Sequence, residues 1–93
     1  MRTISRTSRF KKDYKREAKG QYRDVVDALL TEAVSLLVAD SPLPERQHDH
    51  ALSGEWKDHR DCHLRPDLVL IYRLPDANSL ELVRLGSHSE LSL

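Results

Sequence analysis

Apolar positions along the chain change period partway through, and that change divides it into two kinds of structure. Residues 2–6 (RTISR) suit a short strand. Thr7 or Ser8 is then a candidate N-cap, with Phe10, Tyr14 and Ala18 following at a spacing of four and Gly20 suiting the helix end. A second helix is predicted from about Tyr22 to Ala39, its stripe formed by Val26, Leu29, Leu30, Ala33, Leu36 and Leu37. Asp40-Ser41-Pro42 stops it, so the two helices read as an αα-hairpin. Beyond Pro44 the helical period is gone.

Residues 43–53 (LPERQHDHALS) are polar and irregular and read as a loop. Residues 55–63 (EWKDHRDCH) read as a strand, with Lys57, His59, Asp61 and His63 on one face and Trp56, Asp58, Arg60 and Cys62 on the other. Arg65-Pro66-Asp67 forms a turn, and the apolar run 68–74 (LVLIYRL) marks a central strand. Pro75–Ser79 turns again before a last strand at 80–85 (LELVRL), which Gly86 ends ahead of the polar tail SHSELSL. The predicted order is β-αα-βββ. That is an α+β fold, an antiparallel sheet with an N-terminal helical hairpin packed on one face.

Ninety-three residues suit one domain, taken as 1–93. The basic start of the chain lacks an apolar segment, and no apolar run approaches membrane-spanning length. With the single cysteine, Cys62, this places the expected protein in the reducing cytoplasm, off the membrane. The formal net charge of +0 hides an asymmetry. Residues 1–23 carry nine Lys/Arg against only Asp13 and Glu17, which suggests a phosphate backbone or an acidic partner there, or else a solvated helix face.

All five histidines (His48, His50, His59, His63 and His88) lie after the helices, alongside Asp49, Asp58, Asp61 and Asp67. Imidazoles beside carboxylates both take and give protons near neutral pH. RNA cleavage needs that pairing, plus a cation for the charge on phosphorus, for which Arg60, Arg65, Arg73 and Arg84 are candidates. Metal binding is the competing use of the cluster, through His48-x-His50 and Asp61-x-His63. However, no established zinc spacing appears, and one cysteine excludes thiolate frameworks. A serine hydrolase lacks its G-x-S-x-G elbow, and Cys62 reads as a buried thiol. Trp56 and Tyr72 read as core residues, and Gly54 and Gly86 as turn positions.

The run from Asp49 to Tyr72 (DHALSGEWKDHRDCHLRPDLVLIY) resembles the signature of the YafQ branch of the RelE/ParE toxin superfamily, as does the ending Arg84-Leu85-Gly86-Ser87-His88. The resemblance implies a RelE-like fold. It also implies the toxin of a type II toxin–antitoxin system, a ribosome-dependent endoribonuclease (an mRNA interferase) that cleaves mRNA in the A site by acid–base chemistry, with no metal or other cofactor. It assigns His50, His63, Asp67 and His88 as the catalytic group, favouring His88 as acid and Asp67 or His63 as base. Arg84, Asp61, Arg60 and Lys57 take supporting or phosphate-binding roles. The implied partners are a cognate antitoxin, in a heterotetramer, and the ribosome with its mRNA. Two positions depart from the family pattern. Ser92 stands where an aromatic is usual four residues after the tail histidine, and Leu68 where Trp often follows Pro-Asp. Two other readings compete: a ParE-like toxin that blocks DNA gyrase without cutting RNA, and an inactive binding module. The acid–base cluster favours the nuclease.

Overall fold

The computed structural model describes residues 1–93. In chain order it holds β1 (Thr3–Arg6), α1 (Ser8–Glu17), α2 (Val26–Val38), β2 (His50–Ala51), β3 (Arg60–Arg65), β4 (Leu68–Arg73), β5 (Ser79–Gly86) and α3 (His88–Leu91). Short 3-10 turns stand at Glu45–Gln47 and Gly54–Trp56. The five strands form one sheet in the order β1-β5-β4-β3-β2. The expected antiparallel pairing holds from β3 to β5 and extends to the unexpected edge strand β2, whereas β1 adds to the free edge of β5 in parallel.

Helix α1 starts where the sequence placed its cap. Thr7 Oγ1 accepts from the Phe10 backbone N–H at 3.0 Å and donates to the Val83 carbonyl at 2.7 Å, so the cap also pins the helix to β5. Its buried residues are Phe10, Asp13 and Glu17, which adds a polar stripe to the apolar one. Helix α2 begins at Val26, four residues later than its period suggests, because residues 18–25 are spent on the turn after α1. Together the helices cover one face of the sheet. Phe10, Val26, Leu30, Ala33 and Leu37 pack there against Cys62, Leu64, Leu68, Leu70, Tyr72, Leu80, Leu82 and Leu85.

The other face carries a smaller cluster. Val69, Ile71 and Leu91 are buried together, flanked by Leu52, Trp56 and Val83. Strand β4 is therefore covered on both sides, as its unbroken apolar run requires. Three segments depart from expectation. The stretch 43–53 contains the edge strand β2, whose two residues are too few to show a period. Strand β3 begins only at Arg60; the 3-10 turn and a left-handed Asp58 (φ 70°) occupy the residues before it, and Trp56 accordingly packs on the small-cluster face, away from Cys62. The tail is not irregular. Ser87 and Glu90 form a reciprocal capping box that winds 88–91 into one helical turn.

A buried carboxylate joins the helical layer to the edge of β5. Asp13 accepts from Arg84 Nε at 2.7 Å, from the Leu85 backbone N–H at 3.0 Å and from Arg16 Nη1 at 3.1 Å. Arg16 in turn donates to the Leu85 carbonyl at 2.8 Å and pairs with Glu90 of α3 at 3.1 Å. Gly86 sits beneath this crossing, not in a turn. A Cβ there would lie 2.7 Å from Arg16 Nη2, so any other residue must push the guanidinium aside. Burial raises the Asp13 pKa, but the Arg84 and Leu85 donors outweigh it and hold the carboxyl below the usual 3.8. The stability this provides is present above that value and is lost as pH falls through the lowered one. Asp13→Ala should cost about 3–5 kcal/mol, because two guanidiniums and a backbone N–H lose their acceptor. Denaturant unfolding at pH 7 checks this, and a loss under about 1 kcal/mol would show the contact to be a surface ion pair in energetic terms.

Candidate functional site

Strand register assembles the site on the face away from the long helices. His50 lies opposite Asp61, Asp61 opposite Ile71, and Ile71 opposite Arg84, which makes one row across four strands. The adjacent row is His63, Val69 and Gly86. Directly paired residues share a face, so His50, Asp61 and His63 stand beside the small apolar cluster. Alternation along β3 had already put Asp61 and His63 together.

His63 is the centre of the arrangement. Its ring centroid lies 5.0 Å from that of His88, 5.7 Å from His48 and 6.4 Å from His50. Burial lowers the His63 pKa below 6.5; Asp61 opposes this, while His88, His48 and His50 lower it further. His63 is thus held as a neutral imidazole, able to accept a proton. The sequence offers His48 only as half of a possible metal-ligand pair, outside the catalytic group. His48 reaches the cluster through a left-handed backbone (φ 48°), a geometry that sequence spacing does not reveal.

His88 is fixed from the opposite side. Asp67 Oδ1 accepts from the His88 backbone N–H at 3.0 Å and lies 2.8 Å from ring Nδ1. The backbone N–H, then the ring, hold the Asp67 carboxyl below 3.8. Asp67 is therefore a poor proton acceptor near neutrality and a good orienting group. With Nδ1 committed to Asp67, His88 presents Nε2.

Asp61 is buried beneath His50, with Oδ1 3.0 Å from His50 Nδ1. That nitrogen has one hydrogen to give, and the His48 carbonyl lies closer, at 2.7 Å. Asp61 Oδ1 is left without an aligned donor. Burial raises the Asp61 pKa, against the pull of His50, His63 and His88.

The other residues named from the sequence are placed elsewhere. Arg84 shares the His50–Asp61 row, but its guanidinium is spent on Asp13. Arg60 lies on the helix-side face opposite Tyr72, 3.4 Å from Asp49 Oδ1 and 3.3 Å from the Tyr72 hydroxyl, which itself donates to Asp49. Lys57 is exposed beyond the 3-10 turn, and its carbonyl meets His59 Nδ1 at 3.0 Å. His59 pairs with Trp56, so it stands apart from the four clustered rings. Burial pushes the Cys62 thiol up to about 12, which removes it as a nucleophile. No three His, Cys, Asp or Glu side chains converge as a metal site. Leu68 is fully buried in the main core, and Ser92 is exposed in a left-handed conformation (φ 58°) while Leu91 turns inward.

Because Asp61 pushes the His63 pKa upward, Asp61→Asn should lower the His63 titration midpoint in an NMR pH titration of the ring protons. An unchanged or higher midpoint would mean that the buried carboxyl does not act on His63.

Known proteins share this fold along nearly the whole chain. Residues 2–93 match the family model described as bacterial toxin of type II toxin-antitoxin system, YafQ. The mRNA interferase toxin YafQ of Escherichia coli is 37% identical over 91 residues, covering 97% of this chain and 95% of the relative. A copper-bound mutant toxin from Helicobacter pylori superposes with a TM-score of 0.89 at 38% identity, covering 98% of this chain and 99% of that one. The toxin in an E. coli DinJ–YafQ complex gives 0.82 at 36% identity, with 98% of each chain covered. A family match along nearly the whole chain, shared with relatives above one-third identity, shows that this protein belongs to the YafQ family of type II toxin–antitoxin toxins.

Proposed function

We propose that this chain is a cytoplasmic, ribosome-dependent mRNA interferase that cuts by proton transfer between histidines, as the name of its E. coli relative suggests. The observation that carries the mechanism is the His63–His88 pair: two rings 5.0 Å apart, one kept neutral by its surroundings and the other oriented by Asp67. His63 removes the proton from the ribose 2′-hydroxyl, and the resulting oxygen attacks the adjacent phosphorus. As the P–O5′ bond breaks, protonated His88 delivers a proton from Nε2 to the leaving oxygen, and the products are a 2′,3′-cyclic phosphate and a 5′-hydroxyl. Asp67 positions His88 by accepting from its backbone N–H and its ring Nδ1, the orienting part a carboxylate plays behind a catalytic imidazole. His50 and Asp61 complete the set by tuning the field around His63. The named relatives favour this reading over gyrase inhibition.

His88→Ala should lower cleavage on programmed ribosomes by about 10²–10⁴-fold, the range for removal of a general acid. Mapping mRNA 5′ ends shortly after induction should show cuts in phase with codons for the wild type and none for the variant. A folded His88→Ala protein that still cuts at the wild-type rate would sink the assignment.

A second surface supports the partner. The relative in the DinJ–YafQ structures is bound to its antitoxin. Here a groove of about 650 Å³ runs between β1, α1 and α2, floored by Phe10, Leu30, Val34 and Leu82 and bordered by Arg6, Lys11 and Lys15. It suits an amphipathic acidic segment of a cognate antitoxin, ordered on binding within a heterotetramer. Lys11→Glu with Lys15→Glu should weaken antitoxin binding at least about tenfold, chiefly through the association rate, and should reduce its salt dependence. Unaltered binding kinetics in a titration of the purified partners would place the antitoxin elsewhere.

A further inference from the structure

With Arg84, Arg60 and Arg73 each paired to a carboxylate, Arg65 is the one left of the four cations first considered. It lies next to His63. A cavity of about 520 Å³ opens between the Glu45–Gln47 turn and the end of β3, and Arg46, Gln47, His48, His63, Arg65 and Pro66 border it. No carboxylate lines it. Arg65 is exposed and makes no ion pair or side-chain hydrogen bond, while Arg46 reaches only Glu32, at 3.9 Å with both ends in solvent. Such a pair is weak enough to yield to a phosphate.

The turn that carries Arg46 bears a second signal. The Gln47 side chain is 3% exposed, and its Oε1 has no hydrogen-bond partner. A buried amide oxygen left unpaired is costly, so a donor from outside the chain, water or ligand, would stabilise it. The next residue, His48, is held in the left-handed region (φ 48°), which fixes the turn carrying both side chains.

We propose that this cavity is a nucleotide subsite flanking the cleaved bond. Arg46 and Arg65 grip the phosphate of the neighbouring nucleotide, and Gln47 Oε1 accepts a hydrogen bond from an amino group on its base. The subsite rests on the nuclease reading and adds to it a residue that selects sequence. Gln47 is a specificity residue, because an acceptor in this position favours amino-bearing bases and opposes a carbonyl at the same edge. The paired cations serve every nucleotide alike, since phosphate contacts carry no sequence information.

Direct binding tests the subsite apart from catalysis. Purified protein would be titrated by NMR with cytidine and uridine 3′-monophosphates, with adenosine and inosine 3′-monophosphates, and with inorganic phosphate. The wild type should bind the amino-bearing member of each pair at least about fivefold more tightly, the lower range for one good base contact, with shifts at Gln47 and Arg65. Gln47→Leu should erase that preference and melt no lower than the wild type, since it removes an unpaired buried group. Gln47→Met gives the same comparison if the branched side chain packs poorly. Arg46→Ala with Arg65→Ala should weaken all five ligands and leave the preference in place. On ribosomes, Gln47→Leu should broaden codon choice.

Equal affinities within each pair, shifts confined to other surfaces, or unweakened binding by the double arginine variant would each overturn the subsite. Phosphate binding alone, with no base preference, would also reject it in favour of a simple anion site. These outcomes are separable from failure of the nuclease reading, which would appear as wild-type protein that cuts no mRNA on ribosomes.

Discussion

The burial of Leu91 is the contact on which the site depends. Strand β4 has no solvent face, yet the long helices cover only one side of it. On the other side Val69 and Ile71 are fully buried, and the last turn of the chain supplies part of their cover. Residues three apart on a helix face the same way, so seating Leu91 against the sheet turns His88 toward it too. There His88 meets Asp67 and His63. An apolar requirement of the central strand thereby sets the distance between two imidazoles. The capping box of Ser87 and Glu90 makes this possible in a helix too short to be stable alone.

The same turn is held a second time by charge. Glu90 pairs with Arg16, which also reaches Asp13 and the Leu85 carbonyl. Arg84, on the site's own row, is drawn to Asp13 as well. This network uses two of the chain's cations to fasten α1, β5 and α3 to one another. The phosphate-binding role then falls to arginines outside it. Arg65, two residues beyond His63 and without a carboxylate partner, is free to take it.

Much of this was readable where local period or chemistry was strong. The α1 cap at Thr7, the stripe of α2, the two-sided burial of β4 and the shared face of Asp61 and His63 all follow from spacing. Trp56 was misplaced because the alternation counted from Glu55 does not hold until Arg60. The fate of Arg84 was hidden by a bulge. The register shift between Ile71 and Tyr72 sets Val83 as an extra residue in β5, so period-two counting fails there. Asp13 looked like a solvated charge in a basic helix, since nothing local reveals that β5 will bring an unpaired N–H and an arginine to it. The meeting of Asp67 with His88 was available only from the family resemblance, because they are 21 residues apart in different elements. The Ser87–Glu90 capping box is legible in principle, but it sits in a stretch read only as a polar tail.

Where the fold leaves polar atoms unpaired bears on what it is for. Elsewhere the buried polar side chains are satisfied, and even Asp13 and the Tyr72 hydroxyl have partners. The two exceptions are Asp61 Oδ1 and Gln47 Oε1. One belongs to a carboxyl that acts on His63, and the other lines the cavity His63 borders. Each costs stability, and each could be removed by an apolar side chain of similar shape. If packing alone had shaped this sequence, unpaired atoms would have no reason to cluster around one imidazole. Asp61 lies beneath His50 and acts through the field at His63, so of the two atoms only Gln47 Oε1, on the cavity that His63 borders, is one the proposed nucleotide would complete.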